Sequence, residues 1–130
     1  MQTRRLTAAA LCGALFLAAS ATVSAVETLD ERGLRAVHDN AEIDARTSEG
    51  REFVAKFYNN GRMDGNIKGD KTNQDTGTWK IEGNQLCWTW FKWQKGNEVC
   101  YRVEDLGEGK YRAVQVGGVG TTTYSVKPQS

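Results

Sequence analysis

The sequence has little of what catalytic and metal-binding proteins commonly need. His38 is the single histidine among 130 residues. A catalytic triad or a histidine-based metal site needs positioned partners for its ring nitrogens, so one histidine near a predicted helix end favours a surface or capping role. No serine lies in a G-x-S-x-G context. The sequence therefore predicts a non-enzymatic protein with no cofactor and no metal.

The chain also lacks an excess of charge of one sign. It carries 17 basic and 16 acidic residues, for a formal net charge of +1. Proteins that bind nucleic acid or anionic membrane surfaces usually carry a basic excess, and this chain does not. Beyond the first 25 residues, no apolar run is long enough to cross a bilayer. We expect no nucleic-acid partner and no membrane span.

The first 25 residues have the pattern of a secretory signal peptide. Arg4 and Arg5 precede an apolar run over residues 6–19, and small residues follow as far as Ala25. This order of charged, apolar and small residues predicts export and cleavage near Ala25. Twin-arginine and lipoprotein export are weaker alternatives, because neither motif is complete. Residues 26–130 are then expected to form a single domain in the periplasm or outside the cell.

Three cysteines are present, and Cys12 lies inside the predicted signal peptide. The other two, Cys87 and Cys100, most simply form one structural disulfide in an oxidising compartment. A redox-active pair would usually have C-x-x-C spacing and a strand-to-helix setting. We therefore expect a disulfide across a hairpin, on its outer face beside Thr89 and Glu98.

All four tryptophans lie between Gly77 and Arg102. Apolar and polar residues alternate there over three predicted antiparallel strands. Gly83-Asn84 suits the tight turn of the first hairpin, and residues 95–97 close the second. The three strands are Thr78–Glu82, Gln85–Trp93 and Glu98–Glu104.

Period-two alternation continues on both sides of this region. It predicts five further strands, over residues 41–46, 53–58, 63–68, 111–116 and 121–126. Eight neighbouring antiparallel strands leave two exposed edges unless the sheet closes. The predicted fold is all-β, a small eight-stranded antiparallel up-and-down barrel, with a flattened β-sandwich as the alternative. A short helix capped by Thr28 is expected before it, over about Leu29–Val37.

Strand pleating places Trp79, Trp88 and Trp90 on the inner face. Buried tryptophans would fill the core of so small a domain, although aromatic faces could also stack on a ligand. Trp93 lies at the predicted hairpin tip, where it is expected to be either buried or facing a partner.

Two polar features have structural interpretations. Arg112 shares a face with Val114, and if that face is inward its guanidinium would cap Trp79 by a cation–π contact. The polar stretch of residues 69–76 is predicted to be the longest loop. Its Asp70, Asn73 and Asp75 miss the alternate-residue spacing of an EF-hand, so a solvated loop is favoured over a calcium site.

The stretch GTWKIEGNQLCWTWFKWQKGNEVCYRV resembles a family of small exported bacterial proteins of unknown function with a GxW…C…W…C core. The resemblance covers about residues 28–126 and implies a periplasmic, barrel-like domain with no established activity. Gly77, Trp79 and Arg112 also look like the Trp/Arg pair of lipocalin-like barrels, although there the motif opens the first strand. Bacterial metalloprotease inhibitors are similar only in size, compartment and expected barrel.

Bulky inward residues should fill an eight-stranded barrel and leave no pocket near the roughly 300 Å³ of a small-molecule site. We therefore expect a monomeric, protein-binding or inhibitor-like module. Its recognition residues would be Phe91, Trp93 and the segment of residues 27–40. Two alternatives stay open: a carrier of a lipid, sugar or other apolar ligand that uses Trp88 and Trp90, and a hydrolase whose carboxylates meet only in the fold.

Overall fold

The computed structural model describes residues 26–128. The predicted signal peptide, its cleavage site and Cys12 lie outside the described residues. Within residues 26–128, no helix is both long and apolar enough to cross a membrane.

The described chain forms nine strands and one α-helix. The strands are β1 (Glu27–Thr28), β2 (Glu42–Thr47), β3 (Glu52–Phe57), β4 (Arg62–Ile67), β5 (Gln74–Glu82), β6 (Gln85–Trp90), β7 (Glu98–Gly107), β8 (Lys110–Gln115) and β9 (Thr121–Val126). Helix α1 (Glu31–His38) lies between β1 and β2, and a 3-10 turn (Trp93–Gly96) lies between β6 and β7.

Strands β2 to β9 form a closed antiparallel barrel. Each pairs with its neighbour in sequence, and β9 pairs with β2 through partners such as Ala45 and Tyr124, which closes the sheet. The short strand β1 pairs with Glu104 and Asp105 of β7, past the segment of β7 that pairs with β6. The predicted eight-stranded barrel is confirmed, and the sandwich alternative is wrong.

The inner face of the barrel is filled by large apolar side chains, as the alternation predicted. Trp79, Trp88 and Trp90 are all buried, and Phe57 packs between Trp79 and Trp88 with ring centroids 5.3 and 6.1 Å away. The buried apolar residues are Leu29, Leu34, Ala41, Ile43, Ala45, Phe53, Ala55, Phe57, Met63, Trp79, Leu86, Trp88, Trp90, Tyr101, Val103, Ala113 and Tyr124.

Helix α1 crosses one end of the barrel. The Asp30 side chain caps it by accepting a hydrogen bond from the Gly33 N–H at 2.9 Å, so the cap is Asp30 and the predicted Thr28 cap is wrong. The Glu31 N–H donates to Asn84 in the β5–β6 turn, and the Phe57 N–H on β3 donates to the carbonyl of Ala41 just past the helix. The chain is therefore tied to the β5–β6 turn at the start of the helix and to β3 just past its end.

His38 points from the last turn of α1 into the core and is fully buried. Its Nδ1 lies 2.7 Å from the Leu34 carbonyl oxygen, which only accepts, so Nδ1 carries the proton and donates. Its Nε2 lies 2.7 Å from the Tyr124 hydroxyl and accepts from it. Burial lowers the pKa of His38 from 6.5 to about 4. The single histidine is thus a neutral core residue, and the expected surface or capping role is wrong.

The disulfide between Cys87 and Cys100 joins β6 to β7 at directly opposed positions, as predicted. It lies on the outer face of the hairpin. Lys80, the β5 residue paired with Cys87, bridges Glu82 and Glu98 on the same face at 3.5 and 3.2 Å. These exposed ion pairs contribute little, so the covalent link is the main outer-face connection there.

Candidate functional site

The end of the barrel opposite α1 carries the loop between β6 and β7. Strand β6 ends at Trp90, three residues earlier than predicted, and the chain then forms the 3-10 turn. Gln94 and Lys95 have φ of 55° and 58° inside that turn. This left-handed backbone folds the loop back over the barrel mouth, which a simple two-strand hairpin would not do.

A buried carboxylate holds this loop in place. Asp75 is 5% exposed, and one of its oxygens accepts hydrogen bonds from the backbone N–H groups of Lys92 and Trp93 at 2.7 and 2.8 Å. Its other oxygen accepts from the Thr76 N–H at 2.9 Å. A carboxylate with three such donors is well compensated for its burial. The interpretation of Asp75 as part of a solvated loop is wrong, because β5 begins at Gln74.

Trp93 closes the barrel mouth under this loop. Its ring centroid lies 4.6 Å from that of Trp90 and 6.2 Å from that of Phe53. The indole N–H donates to the Asn73 side chain at 3.0 Å. The side chain is half-buried and packs against the core, and a role for Trp93 in binding stays a prediction.

Gly65 makes room for this aromatic plug. A Cβ at Gly65 would lie 2.5 Å from the nearest atom of the Trp90 ring and 2.6 Å from the Trp93 ring. Any larger side chain would therefore displace one of the indoles.

A further contact ties the loop to the core. The Gln94 side-chain oxygen accepts from the Trp88 indole N–H at 3.1 Å, and its amide donates to the Tyr101 hydroxyl at 2.9 Å. Both aromatic side chains are buried, and burial raises the pKa of Tyr101. Trp88 and Trp90, which the carrier hypothesis would use, are 2% and 3% exposed.

Phe91 is the large apolar side chain that this loop presents outward. It is 79% exposed, whereas Trp90 and Trp93, on either side of it in the sequence, turn inward. Its backbone N–H donates to the Thr76 carbonyl at 2.9 Å, which fixes the start of the loop against β5. Phe91 is thus an exposed aromatic residue on an anchored backbone.

Two surface depressions meet at Phe91. The larger, of about 730 Å³, lies on the outer face of β3, β4 and β5, and the smaller, of about 500 Å³, lies over β5 and β6. Phe91, Arg62 and Thr76 line both. We call the larger one the outer groove. It is lined by Glu42, Val54, Ala55, Lys56, Arg62, Asp64, Gly65, Asn66, Gln74, Asp75, Thr76, Phe91 and Lys92.

The acidic side chains of the outer groove already have partners. Asp64 accepts from the Tyr58 hydroxyl at 3.0 Å and from Arg62 at 3.3 Å, and the hydrogen bond that Tyr58 donates to Asp64 is the main cause that raises the pKa of Tyr58. Glu42 pairs with Lys127 at 3.1 Å. The remaining carboxylate is the buried one already described.

Two lysines of the outer groove have no carboxylate partner. Lys56 donates to the backbone carbonyl of Asn40 at 3.0 Å, and Lys92 forms no ion pair with any of residues 26–128. The lining as a whole carries three acidic and three basic side chains, and Lys92 is the basic one that lies next to Phe91 and forms no ion pair with residues 26–128.

Arg112 does not lie beside Trp79. Val103 and Ala113 are paired and both buried, so Arg112 and Glu104 face outward as the next pair along. The Arg112 guanidinium donates to Glu104 at 2.7 Å. The predicted cation–π cap on Trp79 is therefore wrong, and the Trp79 indole N–H instead donates to the Tyr58 carbonyl at 2.7 Å.

Within residues 26–128, one group of potential metal ligands lies close together: Glu82, Cys87 and Cys100. The two sulfurs are joined in the disulfide and are not thiolates, so this group does not suit a metal ion. Over the same residues, the buried carboxylate is that of Asp75, and backbone donors occupy both its oxygens.

The predicted outer-face position of Phe91 is confirmed, whereas the groove beside it and the role of Asp75 were not predicted. The groove depends on outward residues of β3 to β5, such as Lys56 and Asp64, which are ordinary polar positions in a strand. The alternation itself did contain a signal for Asp75, because this residue lies four before Trp79 and so shares its inward face.

Comparisons of the chain with protein-family models, with curated proteins and with solved structures found no match.

Proposed function

We propose that this chain is an exported, non-enzymatic protein-binding module whose recognition surface lies outside the barrel, around Phe91. The observation that carries the proposal is the 79% exposure of Phe91 on a loop whose backbone is anchored to β5. Exposed aromatic residues next to concave surfaces are frequent anchors of protein interfaces.

The anchoring of the loop supports a role in binding. Ordering a flexible loop at an interface costs free energy, and a loop already held by hydrogen bonds avoids part of that cost. Here Asp75 binds two backbone N–H groups of the loop, and Gln94 joins it to two core aromatic residues. Phe91 is therefore presented in a conformation that a partner does not need to impose.

The packed interior favours this proposal over the carrier alternative. A carrier would need space beside the tryptophans, whereas Trp88 packs 4.6 Å from Tyr101 and Trp90 the same distance from Trp93. The helix covers one end of the barrel and the Trp93 plug fills the other. A ligand could enter only if one of these covers moved.

Export to the periplasm or the cell exterior is part of the proposal. The disulfide supports it, since structural disulfides persist mainly in oxidising compartments. The charged, apolar and small residues of the first 25 positions support it from the sequence side.

Site-specific photo-cross-linking tests this function. A photoreactive phenylalanine analogue at position 91 is predicted to cross-link a discrete protein from an extract of the source organism. The same analogue at Val119, which is 99% exposed on the β8–β9 loop, serves as a matched control and should cross-link it weakly or not at all. Equal labelling from both positions, or none from position 91, would contradict the proposal.

A further inference from the structure

We infer that the outer groove binds an extended acidic segment of the protein partner, with an apolar side chain packed on Phe91 and a carboxylate facing Lys92. This inference rests on the proposed function and adds the chemistry of the partner. Three properties of the groove support it: its unpaired charge, its polar lining and its shape.

The lining of the groove has three acidic and three basic side chains, and among the basic ones Lys92 forms no ion pair with residues 26–128. Asp64 is engaged by Arg62 and Tyr58, and Glu42 is engaged by Lys127. Glu42 also lies opposite Lys56 in the β2–β3 register, so the charge of Lys56 is partly balanced. The Asp75 carboxylate accepts from the backbone N–H of Lys92, but the Lys92 side chain forms no ion pair with residues 26–128, and Lys92 follows Phe91 directly in the chain. A carboxylate next to an apolar side chain in the partner would match this pair.

The floor of the groove offers hydrogen-bonding groups without charge. Asn66 and Gln74 are paired across β4 and β5, and Thr76 lies two residues further along β5 on the same face. Each of the two side-chain amides already donates one hydrogen bond to a carbonyl of the β4–β5 loop, which leaves its oxygen and its second N–H. Amides and hydroxyls both donate and accept hydrogen bonds. They therefore suit the alternating N–H and C=O groups of an extended peptide better than they suit a compact anion.

The size of the groove also fits a chain segment. It spans three neighbouring strands, and strands lie about 4.8 Å apart, so it is about 10 Å across from β3 to β5. Its volume is about 730 Å³, and it is open to solvent. An extended strand or loop of a partner can lie in such a groove without entering the barrel.

A peptide selection tests the inference. The folded, disulfide-bonded protein is used to select from a displayed library of random peptides, and the binders are synthesised for fluorescence anisotropy. We expect selected peptides to carry Asp or Glu next to an aromatic or aliphatic residue. Lys92→Glu should weaken their binding about tenfold or more at low salt. Replacing the peptide carboxylate with lysine should restore binding to the Lys92→Glu variant.

Lys110→Glu is the charge-matched control, since Lys110 is exposed at the end of the barrel that α1 covers and also forms no ion pair with residues 26–128. Its effect should be small. Selected peptides without acidic enrichment, binding unchanged by Lys92→Glu, or no selected peptide at all would each overturn the inference. If the inference about the acidic segment fails but the position-91 analogue still cross-links a protein partner, the proposed function stands. If cross-linking at position 91 fails as well, the inference and the proposed function are both wrong.

Discussion

His38 was expected at the surface or as a helix cap, and it is instead fully buried. It is buried between Phe57 and Tyr124, with ring centroids 5.4 and 5.8 Å away, and both ring nitrogens are hydrogen-bonded in the neutral form. A charged imidazole in this place would lose hydration, and the attraction of the nearby Asp39 carboxylate offsets only part of that cost. Burial is accordingly the main cause that lowers the pKa of His38 to about 4.

The low pKa of His38 predicts a loss of stability in acid. Above about pH 6.5 the histidine is neutral in the folded and the unfolded chain, so its full contribution is present. Between about pH 6.5 and 4 the unfolded chain binds a proton that the folded chain does not, and stability falls. The parent should lose on the order of 3 kcal/mol more than His38→Asn over this range.

Urea unfolding at several pH values from 7 to 4 measures this difference. The asparagine amide can donate to the Leu34 carbonyl as Nδ1 does, which keeps one of the two hydrogen bonds. Carboxylates elsewhere titrate in both proteins and cancel in the comparison. Parallel curves of unfolding free energy against pH would show that His38 is not responsible.

Among the structural elements, the β6–β7 loop depends most on a single distant side chain. Asp75 lies on β5 and accepts hydrogen bonds from the loop backbone, 17 and 18 residues away in sequence. Trp93 then reaches the mouth of the barrel only because the loop turns back at this point. The position of the plug is thus set by a tertiary contact as well as by the turn itself.

Asp75→Asn is predicted to loosen the loop. One oxygen of the carboxylate becomes an NH₂ group that faces a backbone N–H, so one buried donor loses its acceptor. The expected loss is about 1–3 kcal/mol in the free energy of unfolding, with increased solvent quenching of Trp93 fluorescence. Urea unfolding followed by fluorescence measures both.

Glu49→Gln is the control for the loss of one negative charge, because Glu49 is exposed in the β2–β3 turn. It should unfold like the parent. An Asp75→Asn variant that is as stable as Glu49→Gln would show that the loop does not depend on this carboxylate.

The same elements show which parts of the structure the sequence could predict. Alternation and turn residues were enough for the barrel, the disulfide and the buried tryptophans, because these depend on local pattern and on pairing with neighbouring strands. The prediction that Arg112 faces inward was wrong, because it rested on the two valines of the same face, Val114 and Val116. The orientation of Arg112 depends on the register that pairs Val103 with Ala113.

At the scale of the whole molecule, both ends of the barrel are covered. Helix α1 and His38 close one, and the Trp93 plug closes the other. The exposed features that suit recognition, Phe91 and the outer groove, lie outside this closed core. Under the proposed function, the residues that stabilise the fold are therefore different from those expected to bind a partner.

The most direct test of this separation is an equilibrium binding titration. The partner identified by cross-linking is purified on its own and titrated against three proteins: the parent, Phe91→Ala and Val119→Ala. All three should unfold at similar urea concentrations, since both side chains are exposed. We predict that Phe91→Ala weakens binding about tenfold or more and that Val119→Ala leaves it within about twofold. Unchanged binding by Phe91→Ala, together with a small molecule released from the parent on unfolding, would contradict the account.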